Sequence, residues 1–263
     1  MNENTPSGSN GRIKFQLSLD RKTLDEAVEM AALGVAGGVQ VIEAGTILIL
    51  SEGGRRIVPR LKELFPAHPI VADAKCTDGA GLEVALMFDL GASAATVMAS
   101  ASDASIRMAV QEATIRPGCE VMVDTMGFGG PDGLDVARQV DAAKRARDLG
   151  AHYVVLHLGY DERTADPRMV DNNVLLRWAE AVANQDLGIK IQVVGGLTLG
   201  QAKQLPAIGI TEIVLSMNLG SNPVAGSEYD KLSAFSVDLS DDRDRARVTE
   251  QIRNFIHEVS TAN

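Results

Sequence analysis

The amino-acid sequence predicts a single α/β domain folded as a (β/α)8 barrel, the architecture also called a TIM barrel. Eight short runs of β-branched and apolar residues alternate with eight longer segments that carry apolar residues at helical spacing. The length of 263 residues is typical of eight such strand-helix units. A doubly wound open sheet is the alternative, but no Gly-x-Gly-x-x-Gly motif follows the first strand and no feature divides the chain into halves.

Each element is predicted from its own pattern. The strands are short apolar runs at residues 13–19, 40–43, 70–73, 94–98, 120–124, 153–157, 190–194 and 212–216. The helices fill the intervals, at residues 23–35, 53–64, 79–90, 103–115, 133–149, 171–185, 198–205 and 244–259. Thr23 stands three residues before Glu26, as in a capping box. Glycines that favour a left-handed helix end follow three of these helices, at Gly91, Gly150 and Gly188.

The composition indicates a globular protein without a membrane span. Hydrophobic residues make up 45% of the chain and the mean hydropathy is +0.03. No apolar run approaches the roughly 20 residues that cross a bilayer. Residues 1–11 are rich in Asn, Ser and Gly, so we expect a flexible tail there rather than a signal peptide. Residues 12–263 then form the barrel and its C-terminal helix.

The charge balance and the cysteines limit the partners and the compartment. The net charge of −10 disfavours binding to nucleic acid or to an anionic membrane. Cys76 and Cys119 lack the Cys-x-x-Cys spacing of a zinc site and do not suggest a disulfide framework. We therefore expect a cytoplasmic protein with reduced thiols that acts on a small molecule.

Polar residues follow the predicted strands at the end where barrel enzymes carry their active sites. They are Asp20, Glu43, Asp73, Lys75, Asp78, Ser100, Ser102, Asp124, His157, Asp161, Gly195, Gly196, Ser216 and Asn218. Charged groups at the ends of apolar strands are costly unless they meet partners or solvent. The pattern predicts a polar cavity at this end of the barrel.

The most informative cluster is Asp73-Ala74-Lys75-Cys76-Thr77-Asp78. In an extended strand Asp73 and Lys75 project to the same side, so that their charges pair and keep Lys75 protonated. Such a row can hold a cation, orient a sugar hydroxyl or deliver a proton to a carbanion. A surface ion pair before a helix, with Asp78 as its N-cap, is the alternative.

This Asp-x-Lys-x-x-Asp motif resembles the signature of the orotidine 5′-phosphate decarboxylase suprafamily. Further segments are similar in order and in strand placement, at residues 16–20 (Gln-Leu-Ser-Leu-Asp), 41–46 (Val-Ile-Glu-Ala-Gly-Thr), 95–97, 121–124, 157–161 (His-Leu-Gly-Tyr-Asp) and 195–196 (Gly-Gly). The His-x-Gly-Tyr-Asp form is most similar to the 3-hexulose-6-phosphate synthase branch. The related 3-keto-L-gulonate-6-phosphate decarboxylases have an Arg where this chain has Tyr160.

The resemblance implies a Mg²⁺-dependent carbon–carbon lyase that acts on a phosphorylated ketose through an enediolate. In the synthase branch the reactants are ribulose 5-phosphate and formaldehyde. Glu43 and Asp73 would bind Mg²⁺, which prefers oxygen ligands. Lys75 and Asp20 would contact substrate hydroxyls or the enediolate oxygen. His157 would be the general base and acid.

The resemblance also implies a homodimer with active sites at the interface, where Asp78 of each subunit enters the site of the other. The substrate contacts would come from Asp124, Asp161, Gly195, Gly196, Ser216 and Asn218.

The sequence departs from the family after the eighth strand and in one insert. The family has a Gly-Gly or Gly-Arg pair where this chain has Leu-Ser-Met-Asn-Leu-Gly at 215–220, so either the phosphate site is altered or the substrate lacks a phosphate. An anion site near 220–222, or the arginines Arg163 and Arg168 of the insert at 162–173, are candidate replacements. The segment 220–242 is a candidate lid or partner surface. Decarboxylation or epimerisation of a keto-sugar acid phosphate, and a catalytically silent metabolite-binding barrel, are the alternative functions.

Overall fold

The protein is a closed barrel of parallel strands surrounded by helices. The computed structural model describes residues 12–130, 134–216 and 239–262, with the backbone alone at Asp171 and Ser216. Each strand pairs with the next, and the last pairs with the first. The strands are β1 (Lys14–Leu19), β2 (Val41–Ala44), β3 (Ile70–Cys76), β4 (Ala94–Met98), β5 (Glu120–Asp124), β6 (Tyr153–His157), β7 (Lys190–Val194) and β8 (Glu212–Ser216). The predicted (β/α)8 fold is confirmed.

Helices follow the strands on the outside of the barrel. They are α1 (Leu24–Gly37), α2 (Thr46–Glu52), α3 (Gly54–Leu64), α4 (Ala80–Asp89), α5 (Asp103–Thr114), α6 (Val136–Asp148), α7 (Tyr160–Ala165), α8 (Arg168–Asp171), α9 (Val174–Ala183), α10 (Leu199–Ala202) and α11 (Asp242–Ser260). A 3₁₀ turn covers Pro206–Ile208. The tail expected at residues 1–11 lies outside the described residues, as does most of the candidate lid at 220–242.

The alternation of side chains along the strands creates two environments. In β1, Leu17 and Leu19 join the core between the strands and the helices. Gln16 and Ser18 project to the other face, which is the barrel interior. A smaller apolar cluster, formed by Val71, Ala94, Met122, Tyr153 and Val155, comes from β3 to β6. It lies toward the N-terminal ends of the strands. At their C-terminal ends, polar side chains surround a cavity instead.

Strand bounds agree with the prediction more closely than helix bounds. The main difference among the strands is β3, which continues to Cys76 rather than ending at Asp73. The short helices α2, α7 and α8 were not predicted. Each has seven residues or fewer, which is too short for helical periodicity to stand out. The N-cap of α2 is Gly45, which has no side chain to mark the start of the helix.

Three of the four predicted helix ends are confirmed. Thr23 Oγ1 accepts a hydrogen bond from the Glu26 N–H at 3.3 Å. Gly91 and Gly150 directly follow the C-caps of α4 and α6, and their φ angles of 104° and 86° lie in the left-handed region that favours glycine. Gly188 also has a positive φ, of 69°, but α9 ends earlier, at Ala183 with Asn184 as its C-cap, so Gly188 does not end that helix. Within the described ranges, no helix is long and apolar enough to span a membrane. Both cysteines are free.

Candidate active site

A cavity of about 500 Å³ opens at the C-terminal ends of the strands. Most of its lining residues have polar side chains. The lining comprises Ser18, Asp20, Glu43, Thr46, Ile47, Asp73, Lys75, Met126, His157, Tyr160, Asp161, Arg163, Val194 and Gly195. A second cavity of about 400 Å³ lies at the opposite end, against the starts of the strands, and includes Arg12 and Lys14. Because barrel enzymes carry their chemistry at the C-terminal end, the first cavity is the candidate active site.

A bulge at the end of β3 places Asp73 and Lys75 at this cavity. The register of β3 against β4 shifts between Ala72 and Cys76, and Lys75 has a φ of 46°. The Lys75 N–H donates to Thr96 Oγ1 at 2.9 Å, which supports the bulge. Lys75 Nζ lies 2.9 Å from Asp73 Oδ2. The predicted charge pair is confirmed, but a left-handed residue creates it rather than a regular pleat.

Asp124, at the end of β5, connects Lys75 to His157. Its Oδ2 accepts from Lys75 Nζ at 3.0 Å and lies 2.8 Å from His157 Nδ1. Its Oδ1 accepts from the Met126 N–H at 2.8 Å. Burial by itself would raise the pKa of Asp124, but the charges of His157 and Lys75 and these hydrogen bonds lower it below its usual value. A carboxylate only accepts hydrogen bonds, so His157 Nδ1 carries the hydrogen of this contact.

Lys75 is held as an ammonium. Burial by itself would lower the pKa of Lys75, but the carboxylates of Asp124 and Asp73 outweigh burial and raise the pKa above its usual value. Lys75 therefore presents a fixed positive charge to the cavity at all physiological pH values, and does not serve as a proton acceptor.

Glu43 and Asp20 form an acidic side of the cavity. Glu43 Oε1 accepts from Ser18 Oγ at 2.6 Å, and its Oε2 accepts from Gln16 Nε2. Ser18 Oγ also lies 3.0 Å from Asp20 Oδ2. Burial, together with repulsion from Asp73 and Asp20, raises the pKa of Glu43 to about 8. Burial and Asp73 likewise raise the pKa of Asp20. The ionised forms of these two carboxyl groups are therefore disfavoured unless a cation lies beside them.

The residues that follow Glu43 complete this side. A Cβ on Gly45 would lie 2.3 Å from Asp20 Oδ1, so a larger residue there would displace the Asp20 carboxylate. Thr46 Oγ1 lies 2.8 Å from Asp73 Oδ2 and 2.9 Å from the Asp73 carbonyl oxygen. The Glu-x-Gly-Thr segment therefore supplies one carboxylate and positions two others.

Among the expected substrate contacts, Gly195 and Asp161 reach the cavity. Gly195 has a φ of 112°, and a Cβ there would lie 2.1 Å from the Leu158 carbonyl oxygen. Gly196 follows with a φ of 72°. The Ser216 side chain and Asn218 lie outside the described residues.

Asp78 is exposed and is not part of the cavity lining of its own chain. Its Oδ1 accepts from the Gly79 N–H at 2.9 Å. Gly79, rather than Asp78, is the N-cap of α4. The structure therefore brings together Asp20, Glu43, Asp73, Lys75, Asp124, His157, Asp161 and Gly195, and leaves Asp78 outside this group.

Several side chains of the site had no predicted role. Gln16 and Thr96 bond to Glu43 and Asp73 from neighbouring strands, and Tyr160 lines the cavity. Gln16 and Thr96 are polar residues within buried strands, at positions whose side chains face the barrel interior. The alternation of side chains along each strand could therefore have identified both residues from the sequence. Tyr160 stood out only as the position that distinguishes the two enzyme branches, and its place in the cavity was not predicted because α7 was not predicted.

A metal site is only partly visible in the geometry. In residues 12–130, 134–216 and 239–262 no group of three or more His, Cys, Asp or Glu side chains is arranged to hold a metal ion. Glu43 and Asp73 nevertheless offer carboxylate oxygens to the same cavity. Mg²⁺ usually takes only one or two protein carboxylates and completes its shell with water and substrate oxygens. The donor set therefore fits Mg²⁺.

Residues 14–158 match the model of the orotidine 5′-phosphate decarboxylase / HUMPS family. The chain belongs to this family. The matched region contains the paired side chains of the cavity from Asp20 to His157. The resemblance stated from the motifs is thus confirmed.

Relatives within the orotidine 5′-phosphate decarboxylase / HUMPS family are enzymes. The chain is 31% identical over 216 residues to the 3-hexulose-6-phosphate synthase of Mycobacterium gastri, covering 76% of this chain and 98% of that protein. It is 29% identical over 226 residues to the 3-keto-L-gulonate-6-phosphate decarboxylase UlaD of Escherichia coli O139:H28, covering 83% and 95%. A crystal structure of a 3-hexulose-6-phosphate synthase matches with a TM-score of 0.68 and 28% identity, covering 84% of this chain and 99% of that one.

Proposed function

We propose that the protein is a Mg²⁺-dependent lyase of the 3-hexulose-6-phosphate synthase type. It would join ribulose 5-phosphate and formaldehyde through an enediolate. The arrangement of Lys75, Asp124 and His157 is the single observation that carries this proposal, because one buried carboxylate fixes both a permanent cation and an imidazole at the edge of the cavity. The similarity to 3-hexulose-6-phosphate synthases supports the choice of substrate.

His157 is suited to move the proton. Because Nδ1 donates to Asp124, Nε2 of the neutral ring holds the lone pair and can accept a proton from C1 of the ketose phosphate. The electron pair of that C–H bond becomes the enediolate, and its negative charge at the C2 oxygen lies in the field of the Lys75 ammonium. The enediolate carbon then forms a bond to the carbon of formaldehyde. The new alkoxide takes the proton back from His157, so five carbons and one carbon give a hexulose phosphate.

Glu43 and Asp73 would hold Mg²⁺ in this site. Burial, together with repulsion from Asp73 and Asp20, raises the pKa of Glu43 to about 8, and a cation beside this carboxylate would offset both effects. The bound ion would polarise ketose oxygens as a Lewis acid. Asp20, which lies against Gly45 and Ser18, would orient a substrate hydroxyl.

The direct test is turnover of ribulose 5-phosphate with formaldehyde, compared with a panel of ketose and keto-acid phosphates. Lys75→Ala should abolish turnover and leave the fold intact, because the oxyanion loses its cation. A chelator should abolish turnover and added Mg²⁺ should restore it. Full activity of Lys75→Ala, or of chelator-treated protein that binds no Mg²⁺, would refute the respective assignment.

Decarboxylation of a 3-keto-sugar-acid 6-phosphate is the second candidate, favoured by the 29% identity to UlaD. It uses the same enediolate but releases CO₂, and epimerisation is a further variant of this chemistry. CO₂ release from a keto-acid phosphate, with no consumption of formaldehyde, would select it. Tight binding of one compound without turnover of any would select a silent binding barrel.

We also propose a cytoplasmic homodimer in which Asp78 acts in the site of the other subunit. The position of Asp78 outside its own cavity supports this. The helices beside it expose Leu82 and Met108, with exposed fractions of 79% and 55%. Free cysteines are usual in a reducing compartment.

Complementation between two inactive variants tests the shared site. If each site combines Lys75 of one subunit with Asp78 of the other, a mixed dimer of Asp78→Asn and Lys75→Ala chains has one intact site. Mixing the two after unfolding and refolding should restore activity, with sedimentation giving the mass of a dimer. Recovery of no activity from a confirmed mixed dimer would place Asp78 in its own subunit's site, and full activity of Asp78→Asn alone would place it outside catalysis.

A further inference from the structure

The short helix α7 carries an arginine into the cavity beside the glycine pair that follows β7. Arg163 lines the cavity. The position that a Cβ of Gly196 would occupy lies 3.0 Å from Arg163 Cδ and 3.4 Å from its Nε. Arg163 Cζ lies 5.2 Å from the centre of the Tyr160 ring. The side chain therefore packs between an aromatic ring and a backbone that has no side chain.

We propose that Arg163 is the specificity-determining residue that binds the phosphate group of the substrate. The inference rests on the proposed function for the substrate class, a phosphorylated ketose. A guanidinium is planar and presents paired N–H donors that match two oxygens of a phosphate. Gly195 and Gly196 have no side chains, so their backbone allows a phosphate to approach closely on the same side.

The distribution of charge in the cavity supports this position. The acidic side, with Asp20, Glu43 and Asp73, repels an anion. Lys75 is held by two carboxylates and, in the proposed reaction, faces the enediolate oxygen at the reacting end of the substrate, so the phosphate at the other end needs a different cation. Among the described lining residues, Arg163 is the other arginine or lysine. A sugar phosphate would be oriented with its reacting end toward Lys75 and its phosphate toward Arg163.

Other sources of positive charge are less suitable. Arg168 is the second arginine of the insert, but its side chain is 80% exposed. It is not part of the cavity lining. The sequence after β8 has no arginine or lysine from residue 217 to residue 230. The geometry thus selects one of the two arginines that the sequence left as alternatives.

The experiment compares binding of D-ribulose 5-phosphate and D-ribulose, by calorimetry in the presence of Mg²⁺, to the wild type, Arg163→Gln and Arg163→Lys. Arg168→Gln is the matched control, because it removes the same group from the same insert. Arg163→Gln should weaken ribulose 5-phosphate binding by about 10- to 100-fold, the usual effect of losing a charged hydrogen bond, and leave ribulose binding unchanged. Arg163→Lys should be intermediate, and Arg168→Gln should match the wild type.

Steady-state kinetics separate this inference from the proposed reaction. If both are correct, Arg163→Gln raises KM with a much smaller change in kcat. If the wild type turns over no compound of the panel, and Arg163→Gln still loses the preference for the phosphorylated sugar, the role of Arg163 is supported and the proposed reaction is refuted. Normal turnover with an unchanged KM in Arg163→Gln refutes the role of Arg163 alone.

Two binding results also overturn the role of Arg163. They are an equal loss of ribulose and ribulose 5-phosphate binding in Arg163→Gln, and a wild type with no preference for the phosphorylated sugar. Arg163→Lys serves as the decisive variant if thermal unfolding shows that Arg163→Gln does not fold.

Discussion

Replacing Asp124 by Asn tests the central feature of the site. The Asp124 side chain is 2% exposed and bonds Lys75, His157 and the Met126 backbone. Asparagine has the same shape but no charge. It leaves the Lys75 ammonium with Asp73 as its remaining carboxylate. If its amide oxygen takes the place of Oδ2 and accepts from both side chains, its NH2 group faces the Met126 N–H, which is also a donor.

The size of the effect follows from these contacts. Two hydrogen bonds to charged groups are weakened, each worth about 1.5–3 kcal/mol. The neutral side chain no longer incurs the desolvation cost of a buried carboxylate, which offsets part of this loss. We therefore expect the free energy of unfolding to fall by about 2–4 kcal/mol. The imidazole is no longer held with its hydrogen on Nδ1, so kcat should fall by about 10²- to 10⁴-fold.

The contribution of Asp124 to the free energy of unfolding depends on pH. The pKa of Asp124 is lower in the folded than in the unfolded state. Its stabilising contribution is therefore fully present above the unfolded pKa of about 3.9 and is lost as the pH falls through the folded value. Urea unfolding should show a lower stability of Asp124→Asn than of the wild type at about pH 5 and above, and this difference should narrow as the pH falls below the unfolded pKa of about 3.9.

The control is Asp148→Asn, which makes the same change at a side chain that is 63% exposed and should alter neither quantity. Wild-type kcat and wild-type stability in Asp124→Asn would show that this carboxylate neither positions His157 nor stabilises the charge on Lys75.

Three further changes test neighbouring features. Gly45→Ala should lower kcat by about tenfold or more with little change in secondary structure, since its Cβ would displace Asp20, and unchanged kinetics would remove Asp20 from the site. Gln16→Leu should weaken Mg²⁺ binding, measured by calorimetry, and lower stability by about 1–3 kcal/mol, because Glu43 loses a donor inside the barrel; unaltered metal affinity would contradict this. Cys76 is buried and its thiol pKa is raised, so a thiol reagent at pH 8 should modify it only after unfolding, as followed by mass spectrometry.

Local patterns were enough to predict the strands but not the short helices. The apolar runs of β4 to β8 coincide with the predicted bounds, because a strand buried on both faces must be apolar along most of its length. Gln16 in β1 breaks this pattern, and its contact with Glu43 explains why. Helix α7 is six residues long and contains no buried residue, so no apolar periodicity in the sequence identifies it.

The sequence by itself determined the barrel, its strand order and the group of acidic residues, Lys75 and His157 at one end of it. These follow from the period of the apolar residues and from the rule that parallel strands end on the same side. The tertiary structure decided which of these side chains meet. It showed that a left-handed Lys75 turns toward Asp124, that Asp78 lies outside its own cavity, and that Arg163 rather than Arg168 lines it. Such choices depend on bulges, short helices and distances between strands far apart in the chain, which local propensity does not encode.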